Sequence, residues 1–481
     1  MSRYQLTRRN ALQLSGVGAA GIMAGCLGDD DSDGDGGGDS DGDSGGNGGD
    51  SEVHILTDYA SEAWQEYWED DLIAGWESDN PDVPINIEFR GFQGTGEQRL
   101  ATLLQSGEPP ELYHGTISEV GDLVNQGQTM AVNDVISELE DLWGGEMLFK
   151  NTANPFDDEI HLVPHGVYMG GTLNYRQDIY DELGLEVPET WGELVENARA
   201  IDEAEQFDER GFAVPAAPSG KSGSDFSNWL YNAGGDVWQF ANNGGDEVEL
   251  WFDEDHVIPA LEHIQELAQY SPDPSSLDWG STIEQWAAGR LGQTIMNNAW
   301  LAGPAYFAEN EPVAFNTKQA VIPMREGADP LQRGWVLIDG TPILDESSNP
   351  EGAKDFLRYM YGEERHPEVS LMEPLRFIPP FQGVAETDAY QNADIFQVND
   401  GIFLEKNQRA LNEIAPTLDS EEYSGKETPS TPETLYAGTF PIDSEMVNQV
   451  IVEGRDIQTA YEEASERLEE RLEEAVERAN Y

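Results

Sequence analysis

The chain has 481 residues, enough for two lobes with cores of their own. It sets 94 acidic residues against 25 basic ones for a formal charge of −69, which argues against nucleic acid as a partner, because phosphate binding needs clustered Lys and Arg and no basic run exists. With 12 Trp, 17 Tyr and 17 Phe the composition also argues against a disordered chain and for packed cores.

Taken in order, the chain opens with Thr7-Arg8-Arg9-Asn10-Ala11-Leu12-Gln13, which looks like a twin-arginine export motif. The apolar run from Leu14 to Gly25 is too short for an ordinary membrane span. It ends in Met23-Ala24-Gly25-Cys26, similar to a lipobox, so residues 1–25 are expected to be a removable signal and Cys26 the lipidated first residue of the mature protein. Cys26 is the only cysteine, and no internal disulfide can form. Gly16-x-Gly18-x-x-Gly21 matches a dinucleotide-binding pattern, but no strand precedes it inside the leader, and no cofactor is expected. From Asp29 to Ser51 only Asp, Gly, Ser and one Asn occur, a composition that cannot bury a core. Residues 26–51 are therefore read as a flexible tether to a membrane anchor. Asp31-x-Asp33-x-Asp35-Gly36 imitates a calcium loop, yet its twelfth position is Gly42 and no helices flank it, so no metal site is assigned.

Removing the three leader arginines and the nine tether aspartates from −69 still leaves −63 on the body. Such a body repels itself at ordinary ionic strength, whereas at about 1 M salt the Debye length falls to roughly 3 Å. A salt-loving source is the expectation, in keeping with only six lysines among the bases.

The body begins with a strand at Val53 to Thr57, followed by Trp64, Tyr67, Trp68, Leu72, Ile73 and Trp76 at helical spacing, which reads as core. Ile85 to Phe89 alternates as a second strand, Glu97 to Gln105 is a helix stopped by Gly107, and a short strand follows near Leu112-Tyr113. Strands alternating with helices imply an α/β lobe with a mostly parallel sheet. Ligands of such sheets sit beyond the carboxyl ends of the strands, which makes Asp58, Tyr59, Gln93, His114 and Thr116 candidates for a binding cleft.

Val163 to Leu194 is the most informative stretch. An extended run gives way to a helix from Gln177 to Leu183, and Gly184 is its stop. Thr190 then reads as an N-cap, with Glu193 completing a capping box. Tyr175-Arg176-Gln177-Asp178, Gly184-Leu185 and Pro188-Glu189-Thr190-Trp191-Gly192-Glu193-Leu194 together resemble the signature region of the extracellular solute-binding proteins of ABC importers, the group of maltose-binding protein. Arg176 departs from the usual Asn of that pattern. The resemblance continues in Ser224 to Leu230 before Gly234-Gly235, in Ala287 to Trp300, in Asn349 to Met360 and in Gly454 to Ala460 ahead of a terminal helix. That helix carries Ala460, Ala464, Leu468, Leu472 and Val476 on one stripe.

The resemblance implies a two-lobed periplasmic-binding-protein-like α/β fold, each lobe a mostly parallel sheet flanked by helices, joined by three hinge crossings near Pro164 to Tyr168, Trp335 to Asp339 and Phe377 to Pro380. The lobes are expected at 52–165 with 339–377, and at 166–338 with 378–481. It further implies a monomeric, lipid-anchored receptor on the outer face of the cell membrane, capturing a sugar or oligosaccharide for the permease subunits of an ABC importer. Trp300 is the strongest ligand candidate, joined by Trp229, Phe226, Tyr168, Met169 and Trp335, because one face of a pyranose is made of C–H groups that pack on an aromatic ring.

The enzyme readings are weaker. His161-x-x-x-His165 has ligand spacing but spans Pro164 in an extended run, and Gly220-Lys221-Ser222 lacks the earlier glycine of a phosphate loop, where Pro215 stands. No Gly-x-Ser-x-Gly elbow occurs, and among 94 acids carboxylate pairs carry no information. A secreted carbohydrate-active hydrolase remains the alternative.

Overall fold

β1 (Val53–Thr57) pairs in parallel with β2 (Ile85–Phe89) on one side and β3 (Leu112–Tyr113) on the other. The computed structural model describes residues 52–479 except 60, 91–94, 117–119, 122, 125, 151–158, 241–247, 330–333, 335 and 419–438. Val53, Ile55 and Leu56 are all buried, as a strand covered on both faces requires. The crossover between β1 and β2 is a helical run, Glu62–Glu66, Tyr67–Ile73 and Ala74–Asp79, whose middle part is a π-helix. The wider turn leaves Tyr67, Trp68, Leu72 and Ile73 on the buried side, and Trp64 and Trp76 are buried with them. Helix Thr95–Ser106 leads towards β3 and is followed by Gly107 at φ +74°, a left-handed stop that favours glycine.

Three segments then cross side by side. β5 (Val163–Met169) is buried along its whole length and pairs antiparallel with β11 (Val336–Thr341), which pairs on its other edge with β4 (Gly115–Thr116). On the far side of β5, Val167 and Ile378 exchange backbone hydrogen bonds of 3.0 and 3.1 Å. Gly166 permits this close packing, since a Cβ there would lie 2.6 Å from the Phe377 ring.

After Gly170-Gly171 the chain enters β6 (Thr172–Arg176), the centre of a sheet in the order β10-β6-β9, with β9 (Gln293–Ile295) and β10 (Thr317–Val321). Both pairings are antiparallel, which corrects the expectation of a mostly parallel sheet in this lobe. The reason is direction. β6 begins at the crossing and runs away from it, whereas β9 and β10 run back, ending beside Thr172 and Gly171 through Met296 N–H and Ile322 N–H. A further hairpin pairs β7 (Trp238–Phe240) with β8 (Val248–Leu250).

The signature region folds as its residues dictate. Helix Gln177–Leu183 is closed by Gly184 at φ +67°, and helix Trp191–Asp202 starts at a capping box in which Thr190 Oγ1 accepts from Glu193 N–H while the Glu193 carboxylate accepts from Thr190 N–H. Arg176 is buried and pairs with Asp178 two residues on. In the terminal helix Ile457–Ala479, Ala460, Ala464, Leu468 and Leu472 are buried, but Val476 is 38 % exposed and Ala475 takes its place in the core. A strict four-residue stripe drifts about 40° per step around a helix of 3.6 residues per turn, so a three-residue step must bring it back. One core cluster runs from β1 through β5 and β11 to Trp286 and Trp300, and a second gathers Trp191, Trp229, Ile264 and the terminal helix. No helix among the described residues is long and apolar enough to cross a membrane.

Candidate functional site

The carboxyl ends of β1 and β3 lie next to each other, so Asp58 and Tyr59 from one chain end meet His114 from the other. His114 Nδ1 lies 3.0 Å from Asp58 Oδ1, and the Tyr59 ring packs between His114, at 4.0 Å, and Trp64, stacked at 4.6 Å. The crossing strands supply the next layer. A register shift between Asp339 and Gly340 interrupts the β5–β11 ladder, the kind of irregularity that re-aims a side chain. Asp339 Oδ2 accepts from Tyr59 Oη at 2.7 Å and from Tyr168 Oη at 3.1 Å.

From the third crossing, Arg376 reaches into the same junction. Its Nη1 donates to both Glu373 oxygens at 2.8 and 2.7 Å, and its Nη2 donates to Tyr168 Oη at 2.9 Å. The guanidinium lies over three aromatic rings, Trp300 at 4.9 Å, Phe377 at 5.1 Å and Tyr168 at 5.3 Å, an arrangement worth more where water is displaced. Trp300 follows β9 in the chain and is 9 % exposed; the half-buried Trp279 ring lies 6.2 Å from it. Lys221 stands over the other tryptophan, 5.0 Å from the Trp279 ring, and is itself paired with Asp225.

Burial sets the protonation of this cluster. It pushes the phenols of Tyr59 and Tyr168 well above their ordinary value, so both remain donors. It also raises Asp339, against the opposing pull of His114 and the Tyr59 bond, and takes Glu373 up to about 7 despite Arg376. A carboxyl whose folded value exceeds its unfolded one holds more protons in the native state between the two values. Glu373 therefore costs stability as pH rises from its unfolded 4.5 through about 7. Relative to the native chain, Glu373→Gln should gain in melting temperature as pH rises from about 5 to about 8, measured by scanning fluorimetry in molar KCl; a constant difference across that range would refute it.

The structure thus brings together Asp58, Tyr59, His114, Tyr168 and Trp300. Met169 is fully buried beside them, its N–H donating to Asn298 Oδ1 at 3.1 Å. It does not bring in Phe226 or Trp229. Both lie on helix Gly220–Asn232 and are buried, Trp229 against Trp191 at 6.0 Å and His263 at 4.7 Å, Phe226 against Phe252 at 6.0 Å. They line a small cavity with Phe212, Asp225 and Ile264, which adjoins the junction through the Asp225–Lys221 pair but whose lining includes none of Tyr59, Tyr168, Trp300, Asp339 or Arg376. Thr116 lies in β4, while Gln93, Trp335 and Cys26 lie outside the described residues. His161 Nδ1 lies 3.0 Å from Thr129 Oγ1 and His165 packs among Tyr59, Trp64 and Phe377.

Asp339, Glu373, Arg376 and Trp279 escaped the sequence reading. Arg376 left a trace, as a single base in the apolar run Leu375-Arg376-Phe377-Ile378 of a chain poor in bases. Chemically, the two buried carboxylates are engaged, Asp339 by two phenols and Glu373 by the guanidinium, so the cluster is built to hold and orient polar groups beside aromatic faces.

Known proteins agree with this architecture. A putative ABC transporter periplasmic-binding protein of Escherichia coli K12, YcjN, is 22% identical over 333 residues, covering 68% of this chain and 72% of its own. Among solved structures, the GacH receptor of Streptomyces glaucescens, studied unliganded and with acarbose, aligns with a TM-score of 0.67 at 17% identity, over 88% of this chain and 99% of that one. A solute-binding protein of Thermotoga lettingae bound with α-D-tagatose aligns with a TM-score of 0.64 at 18% identity, over the same 88% and 99%. These likenesses establish the two-lobed fold. The family described as bacterial extracellular solute-binding protein matches residues 57–365, and the chain belongs to it.

Proposed function

We propose that the protein captures a sugar or oligosaccharide outside the cell and delivers it to the permease of an ABC importer. The observation that carries this reading is the junction itself, where the Trp300 and Trp279 rings stand beside the hydroxyl, carboxylate and guanidinium groups of Tyr59, Tyr168, Asp339 and Arg376. An aromatic face for the C–H side of a pyranose and a few placed polar partners for its hydroxyls are what such a ligand requires. Solved relatives hold tagatose, ribitol, mannitol and maltose, which supports the same ligand class here. Contacts from both lobes would favour the closed state, and the three adjacent crossings are the natural pivot. We divide the lobes at 52–165 with 339–377 and 166–338 with 378–481, and read the protein as a monomer.

The leader and Cys26 support twin-arginine export and a lipid anchor, with residues 29–51 as the tether. The acidic body supports a salt-loving source. Calorimetry in molar KCl against maltose, maltotetraose, D-tagatose, ribitol and D-mannitol, with chromatography of the recovered sugar, tests the function. Saturable binding at one site per chain with the sugar recovered intact is expected. Release of shorter sugars would establish the hydrolase instead, and no binding across the panel would count against a sugar receptor.

A further inference from the structure

Between the end of β9 and Trp300, Asn298 occupies the left-handed region at φ +45° and is 1 % exposed. Among residues with a Cβ, asparagine is one of the few that enter this region readily. The side chain engages both of its N–H donors and its oxygen. Nδ2 donates to Val167 O at 3.1 Å and to Arg376 O at 2.7 Å, while Oδ1 accepts from Met169 N–H. Its main chain adds two more ties, N–H to Met169 O at 3.3 Å and a carbonyl accepting from Asn174 Nδ2 at 3.2 Å. One buried amide therefore fastens the first crossing strand, the third crossing and the second lobe's sheet to the segment that carries Trp300.

Arg376 closes the circuit from the other side. Its carbonyl is held by Asn298, its guanidinium lies on the Trp300 ring, and its Nη2 reaches Tyr168 of the first crossing. Displacing the Trp300 segment relative to β5 would break several of these bonds together, and each buried polar group left without a partner is costly. Building on the reading of Trp300 as a ligand wall, we propose that Asn298 is a positioning residue that locks the Trp300 segment to the crossing strands, so that the ring's placement and the angle between the lobes change together.

The test needs no ligand. On a Cys26→Ser background the chain has no other thiol, and nitroxides at Glu69→Cys and Glu262→Cys, exposed helical positions of the two lobes, report the interlobe distance by pulsed electron resonance. Asn298→Asp keeps the acceptor for Met169 and the left-handed backbone, but sets a carboxylate against the two carbonyls. Asn298→Gly removes the three side-chain ties, keeps the two main-chain ones, adds no backbone strain, and keeps the experiment informative if the aspartate variant does not fold. In folded variants the mean distance should shift by more than about 2 Å, the scale of a hinge rearrangement, while Trp300→Phe, with Asn298 intact, leaves it in place. A merely structural role would lower the melting temperature and leave the distances alone. An unchanged distance distribution in a folded Asn298 variant overturns the proposal, whatever the ligand proves to be.

Discussion

If the protein is the sugar receptor proposed above, Trp300→Ala should weaken its sugar binding by more than about tenfold, about 1.4 kcal/mol. The ring is mostly buried, its face shared with the Arg376 guanidinium and the tilted Trp279 ring 6.2 Å away. Truncation removes the aromatic surface on which a pyranose would pack and leaves Arg376 without one of its three rings. Large-to-small changes at buried aromatic positions cost about 3–5 kcal/mol of stability, so part of any loss could be global. Trp300→Phe separates the two effects by keeping a ring in the core with less stacking area. Calorimetry in molar KCl on both variants, each shown folded by circular dichroism, decides the point. Native affinity in Trp300→Ala would remove this tryptophan from the site.

Transfer from molar to low salt should be the largest perturbation of all. The body carries a net charge of −63, −69 less the three leader arginines and nine tether aspartates, an excess that remains after every base has been set against an acid. Diluting KCl from about 1 M to about 0.1 M lengthens the Debye screening from roughly 3 to roughly 10 Å, which lets neighbouring surface carboxylates on helices such as Ile457–Ala479 repel one another. A fall in melting temperature of more than about 10 °C is expected, equivalent to a few kcal/mol. Equal melting temperatures at both salt concentrations would refute the link between this composition and a saline environment.

Much of the frame was legible because local chemistry encodes it. Gly107 and Gly184 stop their helices by left-handed backbone, Thr190 and Glu193 write a capping box, and the tryptophans between 64 and 76 announce a buried helical face. What local chemistry cannot encode is direction and distance. The antiparallel sense of β6 against β9 and β10 depends on which strand end lies at the crossing. Phe226 and Trp229 read alike as wall or core until the helix bearing them is seen to face Trp191, His263 and Phe252. Tyr59 meets Asp339 across 280 residues of chain, and nothing in a sequence of 94 acids distinguishes the few that are buried from the many that stay in water.

The pairing of β5 with β11 also bears on how the chain reaches this state. Gly166 lies opposite Asp339, and β11 also pairs with β4, so the sheet begun by β4 and β5 is completed by a strand made only after β6 to β10. Closing so long a loop through an unfolded chain is entropically expensive and slows folding. Folding the intervening segment first shortens the effective loop to the gap between its two ends, which the β5–β11 ladder then joins. The sheet of β4, β11 and β5 is accordingly completed only after β10 has been made, and the core around Trp191 and Trp229 only when the terminal helix Ile457–Ala479 has been.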